Sequence, residues 1–404
     1  MNIVYINSFY APDEIGGAEK SVRFLAETLQ AQGHQTTVIT LGREDSSSQL
    51  NGVRIERIAV PNLYYPADAG AQPGWKKLLW HSIDSFNPRA AQRVGALLDA
   101  LRPDVVHTNN LSGLSTTVWG SIHRRHIPLV HTLRDYYLLC PNTAMFKGGK
   151  PCETRCGSCK ALSVPRFAAS KDVDMVVGNS RFILDKHVRF GLFRDADKRV
   201  IYNAYSPSKD ENHRPSDALQ FGFIGRLAPS KGLELLIEAV RLAKPKQAIR
   251  VLIAGEGDPA YVAALQASAA GLPIAFLGRM KPEDFYSQLH WTVVPSIWDE
   301  PLARVLFESF AHGVPVLGTS TGGTPELVHP GLNGYLFSAQ SPASLTTLLE
   351  DASAMSAQAY QALSERARHD GQSFLPQAVS DNYMSAYQAV MVKRSAIVKQ
   401  RMVG

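Results

Sequence analysis

Two acidic side chains, Glu300 and Glu308, stand with seven residues between them. Pro301 suits the first position of a helix, so the pattern predicts a helix over 301–311 with Glu300 at its entrance. Glu308 then falls about two turns further in, on roughly the same side at 3.6 residues per turn. Carboxylates so placed accept hydrogen bonds from vicinal hydroxyls of a sugar and a ribose, and the helix N-terminus beside them favours a diphosphate. The plain alternative is a capping Glu300 and a solvated Glu308, because acidic residues are common in first turns.

A second group follows a β-branched run: Gly225-Arg226-Leu227-Ala228-Pro229-Ser230-Lys231-Gly232. Arg226 offers a planar fork of donors and Lys231 a point charge, which together suit a pyrophosphate. A solvated basic loop would have the same composition. A third group, Gly16-Gly17-Ala18-Glu19, stands between the first apolar run and the first helical pattern. Glycine there lets backbone approach a ligand, and a tight turn is the simpler reading.

The elements that must position these groups alternate. Short strands are predicted at 3–6, 37–40, 53–60, 105–107, 129–132 and 174–177, and a helix at 18–32 with Gly33 just past its end. Ser46-Ser47-Ser48 reads as a polar loop. The rhythm restarts with strands at 221–224, 250–254, 274–277, 292–294 and 314–317, with a helix at 233–242. Alternation of this kind implies parallel sheets. The expected fold class is α/β, with two doubly wound Rossmann-like domains facing across a cleft. Ligands of such sheets sit at the C-terminal ends of the strands. The expected domains are 1–205 and 206–375, divided at the polar, proline-bearing stretch Ser206 to Ser216.

Composition bounds the function classes. Of 404 residues, 45% are hydrophobic and 19% charged, an ordinary globular balance. No apolar run approaches the ~18 residues of a membrane span, and the N-terminus lacks a signal peptide's basic region and cleavage site. A cytoplasmic protein is therefore expected. The net charge of +6 favours anionic partners. Trp75-Lys76-Lys77-Leu78-Leu79-Trp80-His81 mixes aromatic, basic and apolar residues, as interfacial helices do, so peripheral contact with the inner membrane face joins the expectations. No nucleic-acid partner is expected, since neither an RNA-binding aromatic motif nor a standard finger spacing is present. Asp172-Val173-Asp174 runs into a predicted buried strand and is set aside as a metal site. All four cysteines, Cys140, Cys152, Cys156 and Cys159, lie within twenty residues. That spacing resembles a structural zinc site; reduced thiols and disulfides are the alternatives.

The three chemical groups, in this order and spacing, resemble glycosyltransferase family 4, retaining enzymes of the GT-B fold. The resemblance spans nearly the whole chain and takes in Asn179-Ser180, Tyr202-Asn203 and Asn333-Gly334. It implies a nucleotide-sugar donor, UDP- or GDP-linked, and a glycan or lipid-linked acceptor of cell-surface polysaccharide synthesis. It further implies that Arg226 and Lys231 hold the donor diphosphate, that Glu308 binds the ribose, and that Glu300 with adjoining backbone orients the sugar. Gly16, Gly17, Ala303 and Arg304 complete the implied donor site. The family's last helix returns to the N-terminal domain, which 376–404 suits. Two departures stand out. Leu302-Ala303 occupy the place of a common Phe-Gly, and Arg134, followed by Asp135, takes the place of a frequent histidine. Arg134 is permanently protonated and cannot be a base; it is expected to contact the donor sugar or leaving phosphate, with Asp135 holding its geometry. His131 is expected in the core. The resemblance implies no catalytic metal, since Arg226 and Lys231 meet the charge developing on the departing diphosphate. An epimerase or phosphorylase of the same fold, or a non-catalytic zinc-containing binding protein, would carry much of the same pattern.

Overall fold

The structure, a computed structural model, describes residues 1–13, 16–205 and 218–403, with side chains described as far as residue 396. The dividing stretch read at Ser206 to Ser216 lies outside the described residues. Two compact units emerge: residues 1–145, 153–204 and 376–404 form the first, and 146–152 with 205–375 the second.

The first unit contains, in chain order, β1 (Asn2–Ile6), α1 (Gly17–Ala31), β2 (Gln35–Gly42), β3 (Ser46–Leu50), β4 (Val53–Ala59), α2 (Gly74–Ser85), α3 (Pro88–Leu101), β5 (Val105–Thr108), α4 (Thr117–Arg124) and β6 (Leu129–Leu133). A two-stranded hairpin, β7 (Phe146–Lys147) and β8 (Lys150–Pro151), groups with the second unit. The first unit resumes with α5 (Gly157–Ala169), β9 (Met175–Gly178), α6 (Arg181–Arg189) and β10 (Asp197–Val200). Its eight strands run in the order β10-β9-β6-β5-β1-β2-β4-β3. Both faces of the central strands are covered, which is why Ile3, Val4, Tyr5 and Ile6 form an unbroken apolar run.

Residues 46–50 correct the loop reading of Ser46-Ser47-Ser48. They form edge strand β3, antiparallel to β4, with Ser48 opposite Ile55. Its side chains are largely solvated, so no apolar alternation announces it; pairing with β4 alone makes it a strand.

The second unit holds β11 (Leu219–Ile224), α7 (Leu233–Leu242), β12 (Ile249–Ala254), α8 (Pro259–Ser268), β13 (Ile274–Gly278), α9 (Pro282–Tyr286), β14 (Trp291–Val294), α10 (Arg304–Ala311), β15 (Val316–Thr319), β16 (Gly334–Phe337), α11 (Pro342–Ala354) and α12 (Ala357–Gly371). Its six strands are all parallel, in the order β13-β12-β11-β14-β15-β16. The core joins Phe221, Val251, Trp291 and Leu317 of the sheet to Leu233, Leu236, Leu345 and Leu349 of the helices.

The last helix, α13 (Pro376–Val403), belongs to the first unit. Val379, Tyr383, Tyr387 and Val390 pack against Ile3, Tyr5, Val22 and Leu29. Polar contacts fix its rotation: Tyr387 Oη lies 2.8 Å from His107 Nδ1, and His107 Nε2 lies 2.7 Å from Thr132 Oγ1. Among the described residues, no helix is long and apolar enough to cross a membrane.

Candidate active site

In the second unit, strand order reverses between β11 and β14. Such a switch point opens a crevice at the carboxyl ends of the two strands. The run carrying Arg226 and Lys231 leaves β11, and the run carrying Glu300 leaves β14, so the two groups named from sequence flank that crevice. Lys231 Nζ donates to both Glu300 carboxylate oxygens, each at 2.7 Å, and Ser296 Oγ donates to Glu300 Oε2 at 3.1 Å. Two glycines beside this pair have no room for a side chain. Gly232 has φ of 69°, and a Cβ there would sit 2.0 Å from Pro295 O. Gly322 has φ of 57°, and its Cβ would sit 2.3 Å from Glu300 O.

The helix predicted over 301–311 begins later, at Arg304, with Ala303 as its N-cap residue. Glu300 is therefore not at the helix entrance, and Pro301 is not its first residue. Pro301, Leu302 and Ala303 instead form a buried link, and the Gly323 amide donates to Glu300 O at 2.9 Å, holding the loop outside the helix. Glu308 lies on the helix and is buried, which excludes the solvated alternative. Arg304 Nε donates to Glu308 Oε1, and Tyr286 Oη donates to Glu308 Oε2 at 3.3 Å. Burial, then the Glu308 charge, raises the Tyr286 phenol well above its ordinary range, so it remains a donor. Arg226 is exposed and makes no hydrogen bond or ion pair among the described residues, so its fork is open to solvent.

In the first unit, strand order reverses between β1 and β5. Gly16, exposed, precedes α1, and its amide donates to Glu19 Oε2 at 2.9 Å; Gly17 is the first helical residue. Arg134 follows β6 and is nearly buried. The expectation that Asp135 holds Arg134 is corrected. Arg134 Nε donates to Asn109 Oδ1 at 2.8 Å and Nη1 to Asn203 Oδ1, while Asp135 accepts from the Tyr137 amide at 2.8 Å. Past the end of β6 at Leu133 each of the two side chains finds its partner on another segment or further along the chain, so sequence adjacency is a poor guide to pairing here. Burial raises the Asp135 carboxyl to about 6; the Tyr137 amide opposes this and the Glu19 charge adds to it. His131 sits in the core between the rings of Trp119 and Phe193, and burial lowers it to about 3. Asp174 is engaged structurally, accepting from the Leu129 amide and from Arg394.

The remaining motif residues organise backbone. Ser180 caps α6 by accepting from the Ile183 amide at 3.2 Å, and Asn333 Nδ2 donates to Leu327 O and Asp370. Asn109 and Tyr286 escaped sequence reading, because polar partners drawn from distant elements leave no local pattern, whereas Ser296 stands in the Val293 to Asn333 run that carries Glu300. Cys140, Cys156 and Cys159 come together, while Cys152 belongs to the second unit. Among the described residues, no group of three or more His, Cys, Asp or Glu is arranged to hold a metal ion. A hollow of about 360 Å³ in the first unit is lined by Tyr64, Lys77, Trp80, His81, Asn142 and Thr143. A separate hollow of about 470 Å³ between Leu332, Tyr335, Met355 and Arg366 contains none of the candidate residues.

Comparison with known proteins agrees in both halves. Residues 15–209 match the family described as Glycosyltransferase Family 4, and residues 206–370 match Glycosyl transferases group 1. A Klebsiella pneumoniae relative, "Uncharacterized 42.6 kDa protein in cps region", is 35% identical over 81% of this chain and 87% of its own. A GDP-mannose-dependent alpha-mannosyltransferase of Corynebacterium glutamicum is 25% identical over 91% of this chain and 85% of its own. Among solved structures, the sucrose-phosphate synthase of Thermosynechococcus elongatus aligns with a TM-score of 0.76 at 20% identity, covering 97% of this chain and 99% of that one. Anabaena HepE in complex with UDP aligns with a TM-score of 0.70 at 19% identity, covering 96% and 100%.

Proposed function

The chain belongs to glycosyltransferase family 4, with the GT-B fold, and from that premise we propose that it transfers a sugar, with retention, from a UDP- or GDP-sugar to a glycan or lipid-linked acceptor of cell-surface polysaccharide. The observation that carries the proposal is the second unit's switch point, where the run with the open Arg226 fork leaves one strand, the run with Glu300 leaves the next, and Lys231 pairs with Glu300. The family and the fold make the protein a glycosyltransferase. HepE, solved in complex with UDP, and the GDP-mannose-dependent mannosyltransferase support a nucleotide-sugar donor here. The Klebsiella relative's cps region supports the polysaccharide context.

In this reading, Arg226 and Lys231 stabilise the charge that develops on the leaving diphosphate, acting as fixed donors. Glu308, its geometry held by Arg304 and Tyr286, accepts from the ribose hydroxyls. Glu300 accepts from a sugar hydroxyl while its other lone pairs hold Lys231. Gly16 and Gly17 border the donor, and Ala303 limits the space beside the sugar. Arg134, held by Asn109 and Asn203, supplies a fixed positive charge toward the sugar or leaving phosphate. The acceptor oxygen attacks on the face from which the diphosphate departs, and a phosphate oxygen takes its proton. No step needs a metal.

The aromatic hollow of the first unit suits a saccharide, because rings stack against sugar faces while Lys77, Asn142 and Thr143 offer polar contacts. Beside it, Trp75, Leu78 and Leu79 are exposed on α2 next to Lys76 and Lys77. An apolar and basic face of that kind supports peripheral contact with the anionic, cytoplasmic face of a membrane. Thermal melts with UDP, GDP and ADP test the donor class, since a nucleotide that binds the folded state raises the melting temperature. Nucleotide release that depends on an added glycan or lipid-linked acceptor, with NMR of the new anomeric centre, then tests transfer and retention. Acceptor-independent isomerisation of the donor, or an inverted product, would contradict the proposal.

A further inference from the structure

Cys156 is the N-cap residue of α5, and its own side chain makes no capping hydrogen bond to that helix end. The side chain of Cys156 is exposed, whereas Cys159, three residues on, is buried. Their sulfurs are 3.3 Å apart, and Ser158 Oγ lies 3.3 Å from Cys156 Sγ. The motif is thus Cys156-Gly157-Ser158-Cys159 across the first turn of a helix of 13 residues. Helix N-termini favour a thiolate through their free amides and dipole, and this arrangement of an outer and an inner thiol supports thiol–disulfide exchange. Closing the pair to a bond of about 2.04 Å needs the sulfurs to approach by about 1.3 Å, within rotation of the two side chains.

We propose that Cys156 and Cys159 form an oxidisable dithiol, in which Cys156 is the attacking thiol and Cys159 the resolving one, with a low-molecular-weight disulfide as the oxidant. The Cys156 thiolate attacks one sulfur of the disulfide, forming a mixed disulfide and releasing one thiolate. That thiolate takes the proton of Cys159. The Cys159 thiolate then attacks Cys156 Sγ, closing the protein disulfide and releasing the second small thiolate, which takes from solvent the proton that Cys156 gave up. Two protein thiols are oxidised and one disulfide is reduced to two thiols, so atoms and electrons balance.

The division of roles follows from the surroundings. Burial, then the neighbouring Cys156 and Cys140 thiols, pushes Cys159 up to about 12, so it stays protonated until a base is generated beside it. Cys140 is buried against Cys159 and is not the solvent-facing thiol. The same helix is fixed further along: Arg166 lies with its guanidinium 3.9 Å over the Tyr137 ring and 3.3 Å from Asp84. This anchors the end of α5 away from the dithiol, leaving the first turn as the part that adjusts.

The test uses full-length protein purified without a metal-affinity tag and incubated in glutathione buffers of increasing oxidised fraction. Free thiols are alkylated and counted by intact mass, and the disulfide is located by peptide mapping. The expected result is loss of two thiols in one step and a Cys156–Cys159 disulfide. Cys156→Ser should leave all three remaining thiols free, Cys159→Ser should stop at one glutathione on Cys156, and Cys140→Ser should still close the bond. Four free thiols throughout, a wild-type mixed disulfide that never resolves, a disulfide to Cys140 instead, or one zinc per chain protecting the thiols would each overturn the proposal. If Cys159→Ser proves unstable, the exposed Cys156→Ser variant decides alone.

Discussion

Replacing Glu300 by Gln removes one charge and leaves the shape. Lys231 Nζ then loses a carboxylate with both oxygens at 2.7 Å, in a pair whose side chains are only 19% and 15% exposed. At that separation and an effective dielectric near 20, the gross attraction is about 6 kcal/mol. The net effect is smaller, because the amide oxygen still accepts from Lys231 and the ammonium regains water. A charge-assisted hydrogen bond contributes about 1.5–3 kcal/mol. At 1.36 kcal/mol per decade, losing it from the transition state lowers kcat/KM by roughly 10- to 150-fold. The fold should tolerate the change, with the melting temperature moving by less than about 4 °C. The assay is nucleotide release with the donor identified by thermal shift, run on Glu300→Gln, Lys231→Met and the double variant. Because the residues touch, the double variant should lose less than the two singles combined, by at least about 0.5 kcal/mol. Turnover within twofold of wild type in Glu300→Gln, or strict additivity, would refute the pairing argument.

Arg134→Lys should lower kcat/KM clearly, since a point charge cannot serve both Asn109 and Asn203, whereas Asp135→Asn should leave Arg134 in place; equal kinetics for Arg134→Lys and wild type would remove it from the site. Gly232→Ala should cost about 1–3 kcal/mol from its φ alone, plus a clash with Pro295 O, and a variant melting like wild type would contradict the loop geometry. Acid should destabilise the protein. His107, His131 and His187 are held below their ordinary value by burial, so unfolding takes up protons as pH falls from about 6.5 toward 4, at about 1.4 kcal/mol per pH unit for each. Asp135, raised to about 6, acts oppositely, losing stability as pH rises from about 3.8 through 6, and burial raises Asp84 and Asp174 in the same direction, while His81, lowered to about 4, joins the three histidines. His131→Phe should therefore flatten the dependence of melting temperature on pH by about one proton, and an unchanged slope would argue against a buried neutral His131. Activity should persist in EDTA, because Arg226 and Lys231 meet the diphosphate charge; a strict requirement for Mg²⁺ or Mn²⁺, restored on adding the ion back, would count against it.

Sequence alone determined the alternation of elements and the main members of the site. Buried parallel strands must be nearly all apolar, so Phe221 to Ile224 and Arg250 to Ala254 were legible, as was the 233–242 helix. Glycines forced by close backbone approach, such as Gly232, marked the loops because no other residue fits. The Lys231 and Glu300 groups were legible because each sits next to a recognisable strand end. Tertiary structure alone decided who pairs with whom. That Lys231 meets Glu300, that Arg134 is held by Asn109 and Asn203 rather than by Asp135, and that α10 starts at Arg304 depend on which strand ends the topology brings side by side. The same is true of β3, whose serines become a strand only because β4 offers a ladder. Local spacing determines periodicity and turn chemistry; a hydrogen bond between residues 25 to 69 positions apart is set by sheet order, which leaves no local trace.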